Sequence, residues 1–142
     1  MTKEQVLEFI KKNPVFGLAT IDGNQPRTRM IMMYRADENG IIFTTGADKD
    51  VNKQLQANPA VEMCFYGGDQ NCQVRIDGLA KVIDDLELKK QIVEDFPFLK
   101  PTVEARGYEV LITYNVQNAR ATTWTMETNE QPKEYVQLHP SG

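Results

Sequence analysis

The stretch Val15-Phe16-Gly17-Leu18-Ala19-Thr20-Ile21-Asp22-Gly23-Asn24-Gln25-Pro26-Arg27-Thr28-Arg29-Met30-Ile31-Met32-Met33 decides the fold. Two strand-like runs flank Asp22-Gly23-Asn24, where Gly and Asn accept the positive φ of a tight connection, so the pair reads as a β-hairpin. Alternation along the second run puts Arg27, Arg29, Ile31, Met33 and Arg35 on one face and Thr28, Met30, Met32 and Tyr34 on the other. Taken alone, such arginines read as rim residues in surface ion pairs and such methionines as core filler. The segments on either side change that balance.

Downstream, Asp37-Glu38-Asn39-Gly40 is a second turn signal, and Phe43-Thr44-Thr45 ends a further strand. The segment Asp48 to Ala57 predicts a helix with Asp48 as its N-cap, Val51 and Leu55 turned inward, and Lys49 and Lys53 on the opposite face. Asn58-Pro59 stops it. Two arginines, two threonine hydroxyls and two lysines are thereby delivered at the ends of neighbouring elements, around a stripe of polarizable apolar side chains. A phosphate dianion takes charge-assisted hydrogen bonds from an arginine fork and a lysine point charge. The set therefore suits a phosphate joined to a flat ring, placed beside the lysine face because an acidic cap competes for the helix terminus.

Outward from this block, Thr2 and Gln5 form a capping-box pattern ahead of Val6, Phe9 and Ile10, and Asn13-Pro14 closes that helix. Val61 to Tyr66 and Gln73 to Ile83 read as strands joined through Gly67-Gly68-Asp69. Asp84 with Glu87 opens a helix carrying Leu88, Ile92 and Phe96, which Pro97 and Pro101 close. Tyr108 to Tyr114 and Ala121 to Met126 complete the strands, and the polar tail from Thr128 reads as loop. Several antiparallel strands with interspersed helices predict an α+β chain built on a closed or nearly closed barrel of six to seven strands with short flanking helices.

The chain has 142 residues, 41% hydrophobic and 25% charged, which fits one globular domain over 1–142 with 129–142 as a polar tail. A net charge of −4 argues against nucleic acid as a partner. Without a long apolar run or a signal-peptide layout, the expected location is cytoplasmic and away from membranes. Cys64 and Cys72 flank the Gly67-Gly68 turn and are expected to be reduced, partly buried thiols. His139 is expected in solvent, and Trp124 as core or interface filler. No phosphate loop or metal-ligand cluster is present in the sequence pattern.

The order Pro26-x-x-Arg29, Phe43-x-Thr45, a lysine-bearing helix with Gln54-Leu55, Asn58-Pro59, and Gln73-Val74-x-Ile76-x-Gly78-x-Ala80 resembles the pyridoxamine 5'-phosphate oxidase-like flavoproteins. More narrowly it is similar to their small nitroimidazole-resistance-type branch, over about residues 2 to 126. The resemblance implies a split β-barrel homodimer with FMN at the subunit interface. It matches Arg29 to the phosphate-binding arginine, Met30, Ile31, Met32 and Met33 to the strand bordering the isoalloxazine, Thr44 and Thr45 to the next strand end, and Gln73 to a flavin-contacting glutamine. Arg27, Lys49, Lys53 and Gln54 join them as candidate cofactor residues. Asp50 and Val51 stand at the oxidase's Arg-Lys pair, and Tyr34 where it has lysine, so the resemblance implies a small-molecule substrate or electron acceptor other than the oxidase's own. Because flavin itself takes hydride or single electrons, no dedicated acid or base residue is assigned. A flavin- or haem-binding protein without turnover is the alternative reading, and either lysine can serve the phosphate.

Overall fold

The computed structural model describes residues 1–139. Its elements in chain order are α1 (Lys3–Lys12), β1 (Val15–Asp22), β2 (Gln25–Met32), β3 (Arg35–Asp37), β4 (Gly40–Gly46), α2 (Asp50–Ala57), β5 (Ala60–Gly67), β6 (Cys72–Val82), α3 (Leu86–Asp95), α4 (Lys100–Arg106), β7 (Leu111–Thr125) and β8 (Tyr135–Gln137). Short 3₁₀ turns at Pro97–Leu99 and Tyr108–Val110 flank α4. The strands run β2-β1-β5-β6-β7-β4-β3, with β8 beside β7, and every pairing is antiparallel.

The two ends of that order are one stretch of chain. β2 pairs with β1 from Gln25 to Met32, then Met33 N–H donates to Pro14 O (2.8 Å) and Tyr34 N–H to Ile42 O (2.8 Å), and β3 pairs with β4. This bend carries the chain from one end of the strand order to the other. No ladder joins β2 to the second half of β4 among the described residues, so a gap stays open between Arg29–Met32 and Phe43–Gly46. The result is an unclosed split-barrel α+β fold.

Alternation fills the interior: Phe16 and Leu18 of β1, Met63 and Phe65 of β5, and Val74 and Ile76 of β6 have no exposed surface. Phe16 lies 4.9 Å from Phe65 and 5.9 Å from Phe43 between ring centroids, and Phe43 stacks on Tyr114 at 5.5 Å. β4 is buried on both faces at its start. Ile41 and Phe43 enter the barrel core, while Ile42 joins Leu88, Ile92, Val93, Val103 and Leu111 in a second cluster under α3 and α4.

Several local expectations hold and others are corrected. The Thr2–Gln5 capping box is present in both directions. The N-cap of α2 is Lys49, not Asp48: the Asp48 carboxylate is drawn away into an ion pair with Arg106. Asp85, not Asp84, caps α3 by accepting from Leu88 N–H at 3.1 Å. The two strands expected within 108–126 are one strand, β7, because Asn118 takes a φ of 54° and a register shift between Asp77 and Leu79 absorbs the irregularity. Asp22-Gly23-Asn24 does turn, with Gly23 at φ 65°.

The tail adds an eighth strand beyond the six or seven expected. Arg120 sits 4.0 Å over the Tyr135 ring, and Leu138, 1% exposed, donates its N–H to Ala119 O at 2.9 Å. His139 is not in solvent; it is 4% exposed and its Nε2 lies 2.8 Å from Asp37 O. Cys64 and Cys72 are free thiols, and they face Arg75 and Gly67 across the hairpin rather than each other.

Candidate functional site

β2 is an edge strand, exposed or half-buried along its whole length, and its free side faces the split. Met30 and Met32 are 67% and 47% exposed, so they form part of an open surface and not core. Met33, 5% exposed, turns into the barrel core because the bend between β2 and β3 begins there. Of the methionines in this run, then, Met30 and Met32 remain available to a ligand.

Two clefts meet along this strand. One, of about 810 Å³, is lined by Arg27, Thr28, Arg29, Lys49, Asp50, Lys53 and Gln54 among others. The other, of about 400 Å³, takes in Arg29, Met30, Ile31, Met32, Thr44, Thr45 and Lys49, with Phe96, Phe98 and Leu99 as an outer wall. Arg29, Lys49 and Val51 belong to both, which makes one site with a cationic end and an apolar end. Ten of the twelve sequence-derived candidates converge here: Arg27, Arg29, Met30, Ile31, Met32, Thr44, Thr45, Lys49, Lys53 and Gln54.

Arg29 is the best-held cation. Its Nη1 donates to Thr20 Oγ1 (2.7 Å) and Leu18 O (3.2 Å), and its Nη2 donates to Gln54 Oε1 (2.7 Å). Partial burial lowers its pKa while the nearby Asp50 carboxylate raises it, and guanidinium stays charged at any working pH. Lys49 and Lys53 enter no salt bridge among the described residues, whereas Arg27 is paired with Asp22 at 3.3 Å. Asp48, tied to Arg106, lines neither cleft. Two carboxylates line the cationic end: Asp22, which is paired with Arg27, and Asp50, the first residue of α2.

Gln73 stands apart. It lies on β6, with β1 and β5 between it and β2, and it lines neither cleft. It pairs in register with Tyr66 and Trp124, and its Oε1 is 3.9 Å from Cys64 Sγ. Trp124, which borders a separate cavity of about 440 Å³, donates its indole N–H to Asn129 Oδ1 at 2.7 Å.

The sequence reading missed two contributors. Thr20, 2% exposed on β1, was hidden among ordinary strand residues, and only its bonds to Arg29 and Gln54 give it a role. Phe98 was passed over as part of a helix stop. The chain after α3 folds back so that Tyr34, Phe96 and Phe98 form a ladder, with 5.4 Å between successive ring centroids, of which Phe96 and Phe98 line the apolar end. The signal available was the Pro97-Phe98-Leu99-Lys100-Pro101 run, where apolar side chains sit between two prolines.

These residues fit a phosphorylated flat cofactor: a fixed guanidinium and two ammonium groups with no salt bridge among the described residues at one end, and an open apolar edge with two threonines at the other. Known proteins agree with the architecture. The fold is similar to that of a NimC/NimA family protein from Clostridium acetobutylicum (TM-score 0.76, 24% identity, 94% of this chain and 91% of that one). It is also similar to a haem-binding protein from Mycobacterium smegmatis (TM-score 0.70, 13% identity, 97% of this chain and 59% of that one). Both likenesses show the fold. In sequence, a pyridoxine/pyridoxamine 5'-phosphate oxidase from Rubrobacter xylanophilus is 36% identical over 66 residues, 46% of this chain and 30% of that protein. The matched stretch thus spans less than a third of this curated relative. The pyridoxamine 5'-phosphate oxidase profile, by contrast, matches residues 2–123, nearly the whole chain, and on that match the chain belongs to the pyridoxamine 5'-phosphate oxidase family.

Proposed function

We propose that the protein binds FMN and acts as an oxidoreductase on a small molecule. The observation that carries the proposal is the continuity of the cationic cleft around Arg29 with the apolar cleft along Met30–Met32. Arg29, with Lys49 and Lys53, holds the phosphate. The β2 edge, Thr44 and Thr45 border the ring, and Phe96 and Phe98 form the outer wall of the apolar end. FMN, when bound, supplies the ring that accepts and passes on hydride or single electrons. The protein's part is to fix that ring and to place backbone N–H groups beside it.

A homodimer completes the reading. Gln73 is too far across the sheet to join the cleft of its own chain, so it meets the flavin from a second copy. The exposed Met30 and Met32, with Tyr66, Met126 and Tyr135, offer apolar surface for that contact. No described helix is long and apolar enough to cross a membrane, and the proposed location is the cytoplasm. For the alternative, a haem carrier, the only histidine is His139, whose Nε2 is engaged with Asp37 O away from both clefts. That favours flavin over an axially ligated haem.

The test is titration of the cofactor-free protein with FMN and, as phosphate-free control, riboflavin. Tight FMN binding and much weaker riboflavin binding are expected; equal affinities, or no binding of either, overturn the reading. Reduced holoprotein then separates an enzyme from a binding module: an enzyme passes electrons to an added quinone or nitro compound over repeated cycles.

A further inference from the structure

Gln54 entered as a cofactor contact, yet its carbonyl oxygen is turned inward. Oε1 accepts from the Thr20 hydroxyl at 2.6 Å and from Arg29 Nη2 at 2.7 Å, and both Gln54 and Thr20 are buried. Thr20 Oγ1 in turn accepts from Arg29 Nη1 at 2.7 Å, which closes a ring of three side chains, and Leu18 O takes the other Nη1 hydrogen at 3.2 Å. Guanidinium carries its N–H groups in a rigid planar fork. With both Nη1 hydrogens and one on Nη2 engaged, the Nε–H and the remaining Nη2–H have no partner among the described residues and stand side by side on one edge of the plane. Two parallel N–H donors on one edge match two oxygens of a phosphate.

We propose that Gln54 and Thr20 are positioning residues: they lock the Arg29 guanidinium so that its Nε/Nη2 edge alone is presented to two oxygens of a phosphate monoester. This rests on the phosphate reading above and adds how it is achieved. Holding the fork in advance removes the rotamer entropy that a free arginine loses on binding. A glutamine suits the task because its neutral oxygen accepts from Arg29 without cancelling the charge the ligand needs; a carboxylate there would cancel it.

The experiment is a double-mutant cycle on FMN affinity using Gln54→Leu and Arg29→Ala, with riboflavin as control and Thr20→Val as a second route to the same lock. Gln54→Leu is expected to weaken FMN about tenfold, to leave riboflavin unchanged, and to add nothing in the Arg29→Ala background. An equal loss in that background, or an equal loss for riboflavin, overturns the positioning role. Side-chain ¹⁵N NMR of the unliganded protein gives a readout that needs no flavin. Arg29 should show slow guanidinium rotation in the wild type and fast rotation in Gln54→Leu and in Thr20→Val. Fast rotation in the wild type refutes the lock whatever FMN does. Slow rotation without FMN preference keeps the lock and refutes the phosphate reading.

Discussion

Replacing Arg29 by alanine should separate binding from folding, and the two magnitudes follow from its contacts. On the protein side the substitution removes bonds to Leu18 O, Thr20 Oγ1 and Gln54 Oε1. The Gln54 oxygen keeps the Thr20 hydroxyl at 2.6 Å, so that buried acceptor is not orphaned. Arg29 itself lies on the edge strand, where water reaches the vacated space. The expected cost is about 1 kcal/mol, a net hydrogen bond's worth, and a fall of roughly 3 °C in Tm. On the ligand side the loss is the charge-assisted fork. One such contact is worth roughly 1.5 to 3 kcal/mol, so FMN should bind about 10- to 150-fold more weakly. Fluorescence titration with FMN and riboflavin, paired with a thermal melt, reads both numbers. Riboflavin affinity should not move, since it has no phosphate to lose. If FMN and riboflavin fall together, or if FMN is unchanged, Arg29 does not hold a phosphate and the assignment of the cationic cleft is wrong.

Asp50→Asn should act in the opposite direction, because its carboxylate lines the cleft proposed for the phosphate. FMN is expected to bind about two- to tenfold more tightly at low salt, with the gain shrinking at high salt; a gain that ignores salt would count against the electrostatic account. Gly78→Ala tests the β6–β7 irregularity: a Cβ there would lie 2.7 Å from Gln117 O and 2.8 Å from Val116 Cγ1, contacts that backbone cannot relieve cheaply. A loss of about 1 to 3 kcal/mol in a urea melt is expected, and wild-type stability would show that the strand pair yields. Tyr34 donates to Asp95 Oδ2 at 2.5 Å, and burial first, then Asp95, pushes its pKa up to about 12. The folded protein therefore keeps the phenol proton after the unfolded chain has lost it at its ordinary pKa of about 10. Stability should fall as pH rises from about 10 towards 12, and Tyr34→Phe should flatten that fall in melts taken across the range.

Much of this molecule is written locally. The Thr2–Gln5 box needs only neighbours on one helix turn, and the hairpin at Asp22-Gly23-Asn24 needs only a residue that accepts positive φ, which Gly23 supplies. The same holds for the grouping of Arg29, Thr44, Thr45, Lys49 and Lys53, since they sit on or beside short, consecutive elements whose order nearly fixes their meeting. Asp48 shows where local reading stops. As a cap it was a good candidate, but Arg106, 58 residues later, is a stronger partner than a backbone N–H, and Lys49 is left at the cap position.

Sequence alone determined the α+β class, the strand bearing Arg29 and the gathering of cations along the neighbouring elements, because periodicity, turn chemistry and charge act over a few residues. Tertiary structure decided the rest. It sent Met33 inward while leaving Met30 and Met32 outside, since one bend must carry the chain from β1 to β4. It also placed Gln73 beyond reach of its own cleft, buried His139 against Asp37, and turned Gln54 towards Arg29. Each of these depends on a contact between residues far apart in the chain. Such a contact exists only once the sheet has assembled, and so no local pattern encodes it.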